Sequence, residues 1–412
     1  MRVLIVTQYF WPENFLINSV VRSLLDRGIE VDIITGKPNY PDGIIFSGYQ
    51  IFGCQTEKWH GATVYRLPIF PRGSKSSFRL ILNYISFIFS GLIFAPWLLR
   101  NRPFDNIFIY ALSPIVQAIP GIFLGWLKSC GVIVWVQDLW PESLSATGYV
   151  SSPLILMLVR LIVRWIYSHA DLLLLQSRAF ELPVAAIVPG KPLLYLPNSV
   201  DNIFVQPPSP DVILPSVPSL EGGFTVMFAG NVGSAQAVEV IVEVAVLLRE
   251  VKHVQFIVFG QGSRWAWMRE QVQALGLSNL HLLGRYPLET MPGLLQKADA
   301  LLVTLSNEPI FAMTVPNKIQ AYLAVGRPIL ASLNGEGARI IRESQAGLCT
   351  PAEDSQLLAA AVIQIYQMSV EDRIKMGANG RRYFESHFDH EMLVDNLVNH
   401  MNFITRLKGT VL

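Results

Sequence analysis

Residues Phe224–Val240 read FTVMFAGNVGSAQAVEV. An apolar run, Phe224 to Ala229, meets Gly230-Asn231-Val232-Gly233 and then a segment with helical spacing, so the pattern predicts strand, glycine turn, helix. Such a turn presents backbone N–H groups at a helix N-terminus, where a phosphate binds without a dedicated cation. Glycines also allow a strand and helix to pack closely with no ligand at all, so the turn alone leaves both readings open.

Working outward, the same plan repeats on the C-terminal side. A helix is expected over Ala237–Glu250, a strand over Val254–Phe259, then a second glycine turn at Gly260-Gln261-Gly262. Further strands are expected at His281–Leu283, Ala300–Leu305, Ile329–Ser332 and Leu348–Thr350, with a helix over Thr290–Lys297 and a terminal amphipathic helix over Phe388–Ile404. After Pro316, Asn317 reads as a helix cap, and Lys318 falls in the first helical turn. A lysine there opposes the macrodipole unless an anion sits nearby.

On the N-terminal side, strands at Val3–Thr7 and Val31–Thr35 flank a helix over Phe15–Arg27, so a parallel sheet begins at once. The first loop, YFWPEN with Glu13 and Asn14, lacks the paired glycines of a phosphate loop, and the second, Gly36–Gly43 with Lys37 and Tyr40, reads either as a ligand contact or as a plain connection. Ile107–Ala111 and Val132–Val136 are further strands, the latter ending in Gln137-Asp138-Leu139-Trp140-Pro141-Glu142-Ser143. Acids beside a tryptophan at the C-terminal end of a parallel strand suit a hydroxylated ligand, although Asp138 as a cap and Trp140 as packing fit the same pattern. The last strands of this half are expected at Leu172–Gln176 and Leu193–Leu196.

Leu80 to Leu99 carries no charge, and Leu154–Tyr167 is apolar with Arg160 and Arg164 on one face. A single crossing at the first would split one sheet across a membrane, so both are read as sheet-packed helices, either plain core or lying in a lipid interface. The chain of 412 residues is 51% hydrophobic and 15% charged with a net charge of +1, which argues against a nucleic-acid partner. Three cysteines, Cys54, Cys130 and Cys349, without metal spacing fit a reducing compartment. The first residues lack the pattern of an export signal. The expected organisation is residues 1–205 as one Rossmann-like domain, 206–223 as linker, 224–385 as a second, and 386–412 as a helix packing back on the first.

The motifs QYFWPENF, TGKPNYPDG, VWVQDLWPES (after what reads as the fourth strand), LPNSVD, FAGNVGSAQAVE and VPNKIQAYLAVGRPIL together resemble family 4 retaining glycosyltransferases. The branch they look most like contains the bacterial fucosyl- and N-acetylfucosaminyl-transferases of capsule, colanic-acid and O-antigen biosynthesis. The resemblance implies an α/β GT-B fold, two Rossmann-like domains facing across a cleft. It also implies transfer from a nucleoside-diphosphate sugar, UDP- or GDP-linked and without a metal, to a lipid-linked glycan acceptor. The enzyme is then cytoplasmic and peripherally attached to the inner membrane. Asp138, Glu142 and Lys318 take catalytic roles on this view. Gly230, Asn231, Gly233, Gln236, Gly260, Gly262, Arg285, Pro316 and Asn317 hold the donor, and Glu13, Asn14, Lys37, Tyr40 and Trp140 meet the acceptor. Departures are plain: Asn231 and Gln236 stand where the family carries an Arg-x4-Lys pair, Met313 and Ala321 where it carries Glu-x7-Glu, and Gln137 where a histidine is common. A catalytically degenerate scaffold and a nucleotide-sugar epimerase of the same architecture are the alternatives.

Overall fold

The computed structural model describes residues 1–73, 77–146, 152–206, 212, 214 and 223–409. The chain divides into two compact units, Met1–Pro197 with Glu391–Leu412, and Asn198–His390. Most of the expected linker, 206–223, lies outside the described residues.

In the first unit the strands are β1 (Arg2–Val6), β2 (Glu30–Gly36), β3 (Gln55–Trp59), β4 (Ala62–Leu67), β5 (Asn106–Ala111), β6 (Gly131–Val136), β7 (Leu172–Leu175) and β8 (Leu193–Tyr195). They form one sheet in the order β3-β4-β2-β1-β5-β6-β7-β8, parallel except for β3 against β4. Its helices are α1 (Leu16–Asp26), α2 (Ser77–Leu98), α3 (Ala118–Lys128), α4 (Glu142–Ala146), α5 (Pro153–His169) and α6 (Glu181–Ile187). The β3–β4 hairpin corrects the sequence reading, which passed over it. The Asp138 loop therefore follows the sixth strand, not the fourth. The hairpin turns at His60 and Gly61, both with positive φ (47° and 99°), the geometry of a tight antiparallel turn.

The second unit contains β9 (Phe224–Ala229), α7 (Glu239–Leu247), β10 (Val254–Phe259), α8 (Trp265–Ala274), β11 (Leu280–Gly284), α9 (Met291–Leu295), β12 (Ala300–Thr304) and α10 (Pro309–Met313). It continues through α11 (Asn317–Val325), β13 (Ile329–Ser332), α12 (Gly335–Glu343), β14 (Gly347–Thr350), α13 (Ser355–Gln367) and α14 (Val370–His387). All six strands are parallel, in the order β11-β10-β9-β12-β13-β14. Chain order reverses between β9 and β12, so the Gly230 turn lies at the switch point where such sheets take ligands. Alternate residues of β9 and β10 enter different cores: Val226, Phe228, Phe256 and Val258 on one face, Met227, Ile257 and Phe259 on the other. Burial on both faces explains why these strands read as unbroken apolar runs.

The last helix, α15 (His390–Gly409), belongs to the first unit. Leu393, Val394, Leu397, Met401 and Ile404 complete a core with α1 and the central strands. Asn106 Nδ2 donates to Met401 O (3.0 Å) and Thr405 Oγ1 (2.6 Å), and Arg27 pairs with Glu391 and Asp395, both at 2.7 Å. On the opposite face of the sheet, α3 packs closely because Gly121 and Gly125 carry no side chain. A Cβ at either would fall 2.7 Å from Ile109 or 2.1 Å from Val132.

Candidate functional site

In the second unit the two glycine turns are locked together. Gly230 N donates to Phe259 O and Val232 N to Gln261 O, both at 3.0 Å, and Gly260 N donates to Gly284 O at 2.7 Å. Gly260 has φ +130°, and a Cβ there would lie 1.7 Å from Gly230 O, so only glycine fits. These bonds correct the expectation that the whole Gly230–Gly233 backbone faces a ligand. Among the described residues, only the Asn231 and Gly233 amides of that turn lack an acceptor. Gly262 also serves packing, since a Cβ there would meet Val232 O at 2.3 Å. Tyr322, which the sequence reading missed, pins the strand end: its hydroxyl accepts from Ala229 N at 2.9 Å.

Lys318 stands against this turn. Its Nζ has no hydrogen-bond partner, is shut from solvent, and sits 3.7 Å from the Phe228 ring centroid. A Cβ on Gly230 would lie 3.2 Å from it. Burial pulls its pKa down to about 7. Holding an unpaired ammonium there is costly, and an anion would remove the cost. Asn317 is not the cap that was expected. Pro316 occupies the cap position in extended conformation, and Asn317 is the first helical residue, its Oδ1 accepting from Asn198 Nδ2 at 2.9 Å. The Asn198 Oδ1 is in turn buried without a partner.

Asn231 and Gln236, at the positions of the usual cation pair, bond to each other, Asn231 Nδ2 to Gln236 Oε1 at 2.9 Å. Lys318 is thus the cation held against the turn itself. Arg285, just after β11, is exposed and makes no ion pair among the described residues. Arg264 was missed by sequence reasoning although it follows the second turn. Its backbone N–H donates to Val232 O at 3.0 Å, but its guanidinium is spent on Glu239 (2.5 Å) and lies over Trp267.

In the first unit, buried polar atoms without partners follow the C-terminal ends of β1, β6 and β7, namely Gln8 Oε1, Tyr9 Oη, Gln137 Nε2, Trp140 Nε1 and Gln176 Oε1, and α5 adds Tyr167 Oη. Each such atom costs about 1–3 kcal/mol if left dry, so their clustering marks where a polar ligand or water belongs. Asp138 lies among them. Burial pushes its carboxyl up to about 6, and Tyr110 and Tyr167 are close enough to feel its charge. Glu142 opens α4 and faces Arg160 at 3.7 Å.

Two of the expected acceptor contacts are corrected. Glu13 is buried, and its carboxylate accepts from the backbone N–H of Asn39 (2.8 Å), Tyr40 (2.7 Å) and Phe10 (3.3 Å). It clamps the loops after β1 and β2 together, because those turns leave three amides that need an acceptor. Burial raises its pKa to about 7 against those bonds. Lys37 is fully buried on Gln55, with its pKa drawn down to about 8 by burial. Asn14 and Tyr40 are exposed, while Trp140 is buried with its indole N–H unused.

Residues 16–199 match the family model described as "Glycosyl transferase 4-like domain", and residues 223–368 match "Glycosyl transferases group 1". The chain is 24% identical, over 92% of its length and 93% of the relative's, to the "Putative colanic acid biosynthesis glycosyl transferase WcaI" of Escherichia coli (strain K12). Among solved structures, sucrose-phosphate synthase from Thermosynechococcus elongatus superposes with a TM-score of 0.75 at 16% identity, covering 98% of this chain and 99% of that one. HepE from Anabaena, solved in complex with UDP, gives 0.66 at 13%, covering 98% and 100%. At such identities the likeness establishes the fold, two Rossmann-like units of the GT-B plan.

Proposed function

Because this chain is a glycosyltransferase, built from a 4-like domain followed by a group 1 domain, we propose that it moves a sugar, with retention, from a nucleoside-diphosphate sugar to a lipid-linked glycan acceptor. The product belongs to a cell-surface polysaccharide, as the name of the colanic-acid relative suggests, and the sugar is of the fucose type whose transferases the motifs resemble. The donor is UDP- or GDP-linked.

The observation that carries this reading is the unpartnered Lys318 ammonium against the Gly230 turn. When the bond from the anomeric carbon to the β-phosphate oxygen breaks, the electron pair leaves with the diphosphate. Fixed donors that stabilise that charge lower the barrier. Lys318 in its protonated form and the open amides of Asn231 and Gly233 supply them, with the Gln236 side-chain amide beside Asn231, so the reading needs no metal. Asp138 and the surrounding unpaired polar atoms orient hydroxyl groups of the sugar or acceptor. Such work belongs on the cytoplasmic face of an inner membrane, with the enzyme attached peripherally.

The test is nucleoside-diphosphate release from a panel of nucleotide sugars, with and without membrane lipid extract. Lipid-dependent release with one donor is expected, and Lys318→Ala should cut it by about 10²–10³-fold. Nucleotide binding without release from any donor would favour a scaffold, the reading that the neutral Asn231, Gln236 and Ala321 support. Free epimer formed from donor alone would favour an epimerase.

A further inference from the structure

The longest helix of the first unit, α2, is built inside out. On α2 the polar residues turn inward: Asn83 Nδ2 donates to Phe70 O at 2.5 Å and its Oδ1 accepts from Gln8 at 2.6 Å, while Ser90 bonds Pro68 O at 2.5 Å. Outward face Phe78, Ile81, Ile85, Phe89, Ile93 and Trp97, with Phe89 60% and Trp97 62% exposed. The stripe recurs at nearly every fourth residue, so it runs the whole helix, about 33 Å. α3 packs against both α2 and α5 and adds Trp126, 79% exposed. α5 adds Leu154, Leu158, Leu161 and Trp165. A continuous apolar face of this size on a protein surface marks a binding site.

We propose that the outward face of α2, α3 and α5 docks in the headgroup–acyl boundary of an anionic bilayer. The inference deepens the function proposed above by naming the surface on which a lipid-linked acceptor is met, and rests on that reading only for its purpose. Three observations select lipid over another protein. First, the three helices contain no Asp or Glu, while Arg79, Arg164 and Arg160, which faces Glu142, lie on them and Arg100 follows α2. Basic side chains around an apolar face match anionic headgroups. Second, Trp97, Trp126 and Trp165 all stand in the C-terminal parts of their helices, and Arg100 stacks on Trp97 at 5.3 Å. Indoles favour the interfacial layer. Third, α2 lies along the surface and does not cross. The strands on either side of it in the chain, β4 and β5, belong to one sheet, and Asn83 and Ser90 tie it to that sheet's loops.

Flotation of the purified full chain with phosphatidylcholine vesicles and with phosphatidylcholine–phosphatidylglycerol vesicles tests this. Binding to the second and weak binding to the first is expected. Phe89→Glu with Ile93→Glu should lower partition by about a hundredfold, roughly tenfold for each apolar side chain withdrawn. Arg164→Gln should lower it on anionic vesicles by about fivefold. Both variants change exposed residues, so thermal unfolding and nucleotide binding should match the parent, which separates lost docking from lost folding. Equal binding to both vesicle types would overturn the choice of anionic lipid. No binding to either would overturn the proposal, as would a dimer in sedimentation that Phe89→Glu with Ile93→Glu dissolves. A protein that floats but releases no nucleoside diphosphate from any donor leaves the surface standing and removes the transferase reading. Release on a detergent-dispersed acceptor without flotation does the reverse.

Discussion

Lys318 places function and stability in opposition at a single atom. Folding takes its pKa from 10.5 to about 7, so between those values the unfolded chain binds the extra proton and stability rises with pH. Lys318→Met should therefore raise the melting temperature of the ligand-free protein at neutral pH while abolishing measurable donor binding by calorimetry. A lower melting temperature would show that the ammonium has a partner. Asp138 has the opposite sign. Its carboxyl moves from 3.8 to about 6, the folded chain binds the extra proton in that window, and stability falls as pH rises through it. Catalysis by the protonated lysine and ionised aspartate predicts a narrow bell for kcat/KM, with its acid limb near 6 and its alkaline limb near 7. Asp138→Asn should remove the acid limb and leave the alkaline one.

Among the elements, the paired glycine turns depend on closeness more than on any side chain. Gly260→Ala adds a methyl group 1.7 Å from Gly230 O in a backbone conformation foreign to alanine. A loss of about 3 kcal/mol in chemical denaturation is expected, with weakened nucleotide binding, because the turn must open to admit it. The strands that carry these turns, Phe224–Ala229 and Val254–Phe259, were legible in the sequence, as was Ile329–Ser332, since strands covered on both faces show solid apolar runs. The edge hairpin β3–β4 was not, although QTEKW and ATVYRL flank His60-Gly61, because one strand alternates and the other does not. Loop chemistry was the least legible. Glu13, Lys37 and the Gly230 amide looked available, and which backbone group each would satisfy depends on loops far apart in the chain. Lys318 could be found because a lysine opposing a helix dipole needs a local reason.

For the whole molecule, the decisive feature is that α15 closes the core of the first unit. Leu397→Ala or Met401→Ala, both fully packed there, should each cost about 2–5 kcal/mol. Hydrogen exchange should then show β1 and β5 losing protection while amides of Asn198–His390 keep theirs, because the two cores are separate. Loss of protection in both would mean the units unfold as one. A ribosome makes Met1–Pro197 before Asn198–His390 and Glu391–Leu412 after it, so the first unit must wait for a helix made after the second. Until α15 arrives, the faces of Phe108, Tyr110 and Trp135 that it covers have no lid, and the Asn198–His390 unit can be complete before the one that precedes it.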